Sequence, residues 1–178
     1  MRIISGKYKG KRLVAPKKLP VRPTTDFAKE ALFNILMHRI DFEEITLLDL
    51  YAGTGNISYE FGSRGTKDMT AIDSYYGCVK YINRIAEELN FLIKTIKSDV
   101  SKYLTTTSKK YTIIFADPPY HLPIEDFMLT VNTVFKRDLL DNGGFLIIEH
   151  SKHTDLSSNQ YFTEARRYGG SVFSFFEK

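Results

Sequence analysis

The chain has 178 residues, 43% of them apolar, which is enough for one hydrophobic core and too few for two ordinary domains. No apolar run approaches the roughly 20 residues a membrane span needs, and Met1-Arg2-Ile3-Ile4-Ser5-Gly6-Lys7 lacks a secretory apolar stretch. A soluble, cytoplasmic protein with no membrane partner is therefore expected. Cys78 is the only cysteine, which excludes an intramolecular disulfide and a thiolate-rich metal site.

The net charge of +4 is unevenly distributed. Arg2, Lys7, Lys9, Lys11, Arg12, Lys17, Lys18 and Arg22 all precede the first acidic residue, Asp26, and the remaining 156 residues carry 17 basic against 21 acidic side chains. A basic segment on a slightly acidic body has the character of a polyanion-binding arm, although a solvated basic tail has the same composition. The β-prone runs 2–5 and 11–15 flank Gly6-Lys7-Tyr8-Lys9-Gly10, which predicts a β-hairpin with a basic tip. Tyr8, between two lysines, is a candidate for stacking on RNA or simply a surface aromatic. Pro16, Pro20 and Pro23 then punctuate an extended connection.

Thr24, Thr25 and Asp26 supply cap oxygens and a first-turn negative charge for a helix whose apolar positions Ala28, Ala31, Leu32, Ile35 and Leu36 share one face. From Thr46 onward, short apolar runs near 46–50, 69–72, 94–97, 113–116 and 145–149 alternate with helix-compatible stretches near 56–64, 76–90 and 125–135. That alternation predicts an α/β sheet with crossover helices. Asn142-Gly143-Gly144 is a turn signal leading into the fifth strand, and residues 164–176 read as two strands around Gly169-Gly170. Residues 105–110 read as a loop.

The first predicted strand runs into Asp49-Leu50-Tyr51-Ala52-Gly53-Thr54-Gly55, a glycine-rich turn before a helix, where an α/β sheet binds ligands. Gly53 and Gly55 let the main chain approach a cofactor closely, and Ser58 occupies the place where a dinucleotide fold favours a third glycine. Asp73, at the end of the second strand, is placed to accept both hydroxyls of a ribose, a contact that serves either a nicotinamide cofactor or S-adenosylmethionine. Asp99 follows the third strand, where it either accepts from an adenine amino group with Val100 against the ring, or caps a helix. With Asp49 facing an ammonium, the ordered series describes a ligand made of adenosine plus an amino acid, S-adenosylmethionine.

After the fourth strand comes Asp117-Pro118-Pro119-Tyr120. The two prolines stiffen the backbone, and the Asp117 carboxylate and Pro118 carbonyl are acceptors suited to the two hydrogens of an aromatic amine. Holding both hydrogens favours pyramidalisation and aims the nitrogen lone pair at an electrophilic methyl, while Tyr120 offers a face to an extruded base. Asp117 needs no raised pKa, because the amine becomes acidic only after it is methylated. His38, His121, His150 and His153 show no recognised metal spacing, so no metal is expected; Glu149 ends the fifth strand either as a supporting acid or as a solvated one.

This motif order resembles the amino-methyltransferases that act on adenine N6, cytosine N4 and guanine N2. The closer resemblance is to the RsmD-type 16S rRNA guanine-N2 methyltransferases. It is carried by residues 1–13, by Arg22-Pro23-Thr24-Thr25-Asp26 with Ala31-Leu32-Phe33-Asn34-Ile35-Leu36, by the glycine-rich turn, by Asp117–Tyr120, by Glu149-His150-Ser151 and by Arg167-Tyr168-Gly169. The sequence departs from that family's usual pattern at Tyr51, Thr54 and 56–61. The resemblance implies a Rossmann-like class I methyltransferase fold, with a mostly parallel seven-stranded sheet flanked by helices and an N-terminal β-hairpin extension. Residues 1–22 would form the basic hairpin and connection, and 23–178 the methyltransferase domain.

It further implies a monomeric enzyme acting on guanine N2 in 16S rRNA or a small-subunit assembly intermediate. Arg2, Lys7, Tyr8, Lys9, Lys11, Arg12, Arg22, Thr24 and Thr25 would contact RNA, and Asp117, Pro118, Pro119 and Tyr120 would hold the base. Asp49, Tyr51, Ala52, Gly53, Gly55, Asp73, Asp99 and Val100 would hold the cofactor. An N6-adenine methyltransferase and a non-catalytic RNA-binding assembly protein on the same fold remain the alternatives.

Overall fold

The structure is a computed structural model that describes residues 1–16, 19 and 25–178. Arg22 and Thr24, and the prolines at 20 and 23, lie outside the described residues.

Helix α1 (Asp26–Leu36) starts where the cap oxygens predict: Thr25 is the N-cap and accepts from the Ala28 N–H, with Asp26 in the first turn. Its buried face is Ala28, Leu32, Phe33 and Leu36, together with an unexpected Lys29. The elements β1 (Thr46–Leu50), α2 (Asn56–Ser63), β2 (Asp68–Asp73), α3 (Tyr76–Leu89) and β3 (Ile93–Lys97) follow. Then come α4 (Val100–Thr106), β4 (Tyr111–Ala116), α5 (Ile124–Lys136), β5 (Leu140–Ser151), β6 (Phe162–Tyr168) and β7 (Ser171–Phe176).

The seven strands form one sheet in the order β3-β2-β1-β4-β5-β7-β6. β1 to β5 run parallel, whereas β7 lies antiparallel to both β5 and β6, so the sheet is mixed. Alternate residues of the central strands face opposite layers. Leu48, Leu50, Ile114 and Leu146 pack under α4 and α5, while Leu47, Ile113, Phe115 and Ile147 pack under α1 and α2. Burial on both faces explains why these strands read as continuous apolar runs.

The chain builds outward from β1 to β2 and β3, then returns to place β4 on the other side of β1. This reversal is the switch point at which open α/β sheets bind ligands. Registers pair Leu50 with Ile72 on one side and with Ala116 on the other, so β1, β2 and β4 end at one height.

The N-terminal segment pairs over a short stretch only: Arg2 and Arg12 make an isolated antiparallel bridge, flanked by Ile3 N–H to the Lys11 carbonyl and Leu13 N–H to the Met1 carbonyl, each at 3.0 Å. The amides that would extend a ladder point elsewhere, with Ile4 and Ser5 N–H donating to the Glu60 carboxylate and Lys7 N–H to the Ser63 carbonyl. Asn142-Gly143-Gly144 lies inside β5 rather than before it, next to a register shift opposite Tyr111 to Ile113. Helix α4 overlaps the residues read as a loop. Its sequence Val-Ser-Lys-Tyr-Leu-Thr-Thr is weakly helical, and it is held by the Asp99 cap and by burial of Val100 and Leu104. No helix among the described residues is long and apolar enough to cross a membrane.

Candidate active site

A cavity of about 630 Å³ opens at the carboxyl ends of β1, β2 and β4. Asp49, Tyr51, Ala52, Gly53, Asp73 and the tetrapeptide Asp117 to Tyr120 all line it. Residues separated by as many as 71 positions are brought together by the common height of the strand ends.

The glycine-rich turn is tied to the next strand by Asp73. One carboxylate oxygen accepts the Gly53 N–H and the other the Tyr75 N–H, each at 2.8 Å. The Ala52 N–H reaches the Ile72 carbonyl at 2.9 Å, continuing the ladder beyond the strand. Gly55 does not line the cavity but is required behind it. It has φ +76°, and a Cβ there would come within 2.8 Å of the Tyr59 ring.

Asp49 is 2% exposed and accepts a 2.6 Å hydrogen bond from Ser58 Oγ. Burial pushes its carboxyl up to about 7; the Ser58 bonds oppose that rise and the Asp73 charge adds to it. No cation among the described residues forms an ion pair with Asp49. Tyr51 stands at φ 58°, and burial raises its phenol despite a hydrogen bond with Thr130.

Asp117 is anchored by its own amide, which donates to the Leu50 carbonyl at 3.3 Å. Tyr120 is 41% exposed, and its hydroxyl lies 3.1 Å from Ser171 Oγ, on the turn-side end of β7. The adjoining wall is formed by Tyr168, Gly169, Gly170 and Ser171 with Phe27 of α1. None of these five was singled out for the site from the sequence, because the wall arises from the insertion of β7 between β5 and β6. Glu149, buried at 1%, also lines the cavity. His150 sits in the core, its ring nitrogens engaged with Ser174 Oγ and the Ser151 carbonyl, and burial lowers its pKa.

Besides Gly55, two expected cofactor contacts do not line the cavity. Asp99 caps α4 by accepting the Lys102 N–H at 3.1 Å, and Val100 packs into the core at 4% exposure. Asp99 is nonetheless near enough for its charge to raise the Tyr51 phenol.

The basic segment begins beside the site and runs along α2, so that Lys7 and Tyr8 dock at its last residue, Ser63. Met1 Sδ lies 3.4 Å from the hydroxyl of Thr54, a cavity residue. Glu60, fully buried, accepts from Ile4 and Ser5 and pairs with Lys29 at 3.5 Å and Arg64 at 3.0 Å. Lys29 Nζ also donates to the Arg2 carbonyl at 2.6 Å and to Asn56 Oδ1 at 2.8 Å, and Asn56 lines the cavity. Burial lowers the Lys29 pKa against the pull of Glu60. The sequence signal for this network was a cation on the apolar face of α1 matched by an anion within α2. Arg2, Lys7, Lys9, Lys11 and Arg12 are exposed; Arg2 pairs with Asp26 and Lys11 with Glu88. The Tyr8 hydroxyl donates to the Leu89 carbonyl at 2.6 Å, and its ring packs edge-on against Phe91.

A doubly covered sheet of this order, with an acid-and-glycine turn at one strand end and an Asp-Pro-Pro-Tyr segment at the neighbouring one, defines a Rossmann-like methyltransferase fold. The family described as Conserved hypothetical protein 95 matches residues 1–177, and the chain belongs to this family, the RsmD-type methyltransferases. It is 31% identical over 153 residues to the ribosomal RNA small subunit methyltransferase D of Buchnera aphidicola, covering 84% of this chain and 78% of that one. Among solved structures, a hypothetical protein of Thermus thermophilus superposes with a TM-score of 0.85 at 23% identity, covering 100% of this chain and 99% of that one. A Thermus thermophilus 16S rRNA N2-guanine methyltransferase, RsmC, solved in complex with AdoMet and guanosine, gives a TM-score of 0.73 at 21% identity. That match covers 90% of this chain and 45% of the other.

Proposed function

We propose that this protein transfers a methyl group from S-adenosylmethionine to the exocyclic N2 of a guanine in 16S rRNA. The observation that carries the reading is the meeting of Asp49, Gly53 and Asp73 with Asp117-Pro118-Pro119-Tyr120 in one cavity. The rRNA target is supported by family membership and by the activity for which the Buchnera relative is named.

The residues present suit the cofactor. Asp49 is a buried acid without a cationic partner among the described residues, which suits the methionine ammonium; the Gly53 backbone and the Asp73 carboxylate suit the ribose. Asp99 and Val100 serve the adenine in this reading only if the Asp99 side chain leaves its cap. S-adenosylmethionine supplies an electrophilic methyl on a sulfonium centre. The protein supplies position: the Asp117 carboxylate and the Pro118 carbonyl accept the two amine hydrogens, Tyr120 stacks on the base, and the nitrogen lone pair is held in line with the methyl. Once nitrogen carries positive charge, Asp117 takes its proton, directly or through water.

In this reading residues 1–22 form a basic RNA-binding segment and 23–178 the methyltransferase domain of a monomeric cytoplasmic enzyme. Lys7, Lys9 and Arg12 have no acidic partner among the described residues and are the phosphate contacts, whereas Tyr8 is committed to packing and Arg2 and Lys11 also face acids. The experiment is transfer of labelled methyl from S-adenosylmethionine to small-subunit RNA and to assembly particles, followed by nucleoside analysis. N2-methylguanosine is expected; methyladenosine alone would replace guanine as the target, and absence of label from both substrates would overturn the enzymatic reading.

A further inference from the structure

Phe27 is 66% exposed at the second position of α1, although α1 has a complete buried face without it. It meets Tyr168 edge to face, with ring centroids 6.3 Å apart and planes at 76°. Both line the cavity that holds Asp117 and Tyr120. Tyr168 is itself braced by Phe173, 6.3 Å away, so the pair rests on the sheet. Tyr168 is paired in register with Ser171, whose hydroxyl meets Tyr120. Two aromatic stations therefore face one opening, fixed relative to each other through the β6–β7 turn. Arg167 is exposed beside this turn, with its Nε donating to the Gly169 carbonyl at 3.2 Å. It has no acidic partner among the described residues, whereas its neighbour Arg166 pairs with Glu164.

We propose that Phe27 and Tyr168 form a second stacking station that holds the unpaired nucleotide adjoining the target base, with Arg167 facing its phosphate. This rests on the function proposed above. A base leaving a stack exposes its neighbour's face as well as its own, and an RNA strand entering at Tyr120 has to carry its adjoining nucleotide across the same rim. An exposed aromatic ring suits a nucleotide better than an aliphatic ligand because it offers a π face, and Arg167, held at the turn by the carbonyl of the cavity residue Gly169, adds a positive charge at the rim.

The test uses Phe27→Ala, Phe27→Leu and Phe27→Trp in the full chain, with two readouts. One is steady-state transfer to small-subunit RNA. The other is direct binding of a short single-stranded RNA carrying 2-aminopurine beside a guanine, read by quenching of the fluorescent base. Loss of a stacked base corresponds to about a tenfold change. Phe27→Ala and Phe27→Leu should therefore raise KM for RNA about tenfold and weaken both oligonucleotide binding and quenching, with a smaller change in kcat. Phe27→Trp should restore them. Leucine behaving as phenylalanine would overturn the station, since a mere apolar cover needs no aromatic ring. Wild-type protein that methylates no RNA would overturn the function instead, and the oligonucleotide arm then still decides the station.

Discussion

Ser58 Oγ donates a 2.6 Å hydrogen bond to Asp49 Oδ2 between two groups that are both buried, and this is the local control on the charge of the cofactor cavity. Burial lifts Asp49 to about 7, and the Ser58 bond works against it. An acid whose folded pKa is raised contributes stability that is fully present below its ordinary value near 3.8 and is lost as pH climbs through about 7. An ammonium held by the ionised carboxylate reverses that cost. S-adenosylmethionine affinity is therefore expected to fall about tenfold per pH unit below 7 and to level off above it. Ser58→Ala should move the midpoint upward, because it removes a bond that favours the ionised form. Calorimetric titration between about pH 5.5 and 8.5 checks both. A flat profile would separate Asp49 from the ammonium.

Asp117→Ala should lower methyl transfer by about 10² to 10⁴, the range for loss of a positioned proton acceptor, while S-adenosylmethionine affinity stays within about threefold. Its backbone amide, which anchors the segment to Leu50, is untouched by the change. Asp117→Asn keeps one acceptor oxygen and should fall between the two. Single-turnover rates with saturating RNA make the comparison. Asparagine as inactive as alanine would assign the carboxylate to proton removal rather than to holding the amine.

The central strands were legible because they are short apolar runs buried on both faces, and β1 falls on the run read at 46–50. The cavity was half legible for a related reason: acids and glycines after successive strands converge once those strands are parallel, as Asp49, Gly53, Asp73 and Asp117 do. Asp99 offered two equally good local roles, and the described structure has it in the cap. The wall at the β6–β7 turn was not legible. It depends on β7 pairing with β5 as well as β6, a tertiary choice that no local pattern in 162–176 encodes. Likewise the N-terminal runs pair only around Arg2 and Arg12, because the amides of Ile4 and Ser5 are taken by Glu60, more than 50 residues away.

Glu60 has Lys29 and Arg64 as cationic neighbours, and Lys29 is fully buried. Lys29→Met keeps the volume and removes the charge, leaving a buried carboxylate short of one partner and removing the Lys29 bonds to the Arg2 carbonyl and Asn56 Oδ1. Removing one side of a buried pair costs about 3–5 kcal/mol, and that is the expected loss in urea unfolding. Lys29→Met combined with Glu60→Gln should lose less than the two single changes added together, because the uncompensated charge is gone. Additive losses would mean that Lys29 acts only through Arg2 and Asn56.

Gly6 and Gly10 both have positive φ, +79° and +84°, yet their surroundings differ. A Cβ on Gly6 would stand 1.9 Å from the Ser63 carbonyl oxygen, the same oxygen that accepts the Lys7 N–H, whereas a Cβ on Gly10 meets nothing within 4 Å. Gly10→Ala should therefore cost only the backbone strain, about 1 kcal/mol. Gly6→Ala adds a backbone clash that neither side can relieve without undocking the segment from α2. Trypsin cleavage after Lys7 and Lys9 should be at least about tenfold faster in Gly6→Ala than in Gly10→Ala, since cleavage tracks the population of the open form. RNA affinity should fall in the same order, because an undocked segment has to be ordered again on binding. Equal cleavage in the two variants would show that the contact with Ser63 does not hold the segment in place.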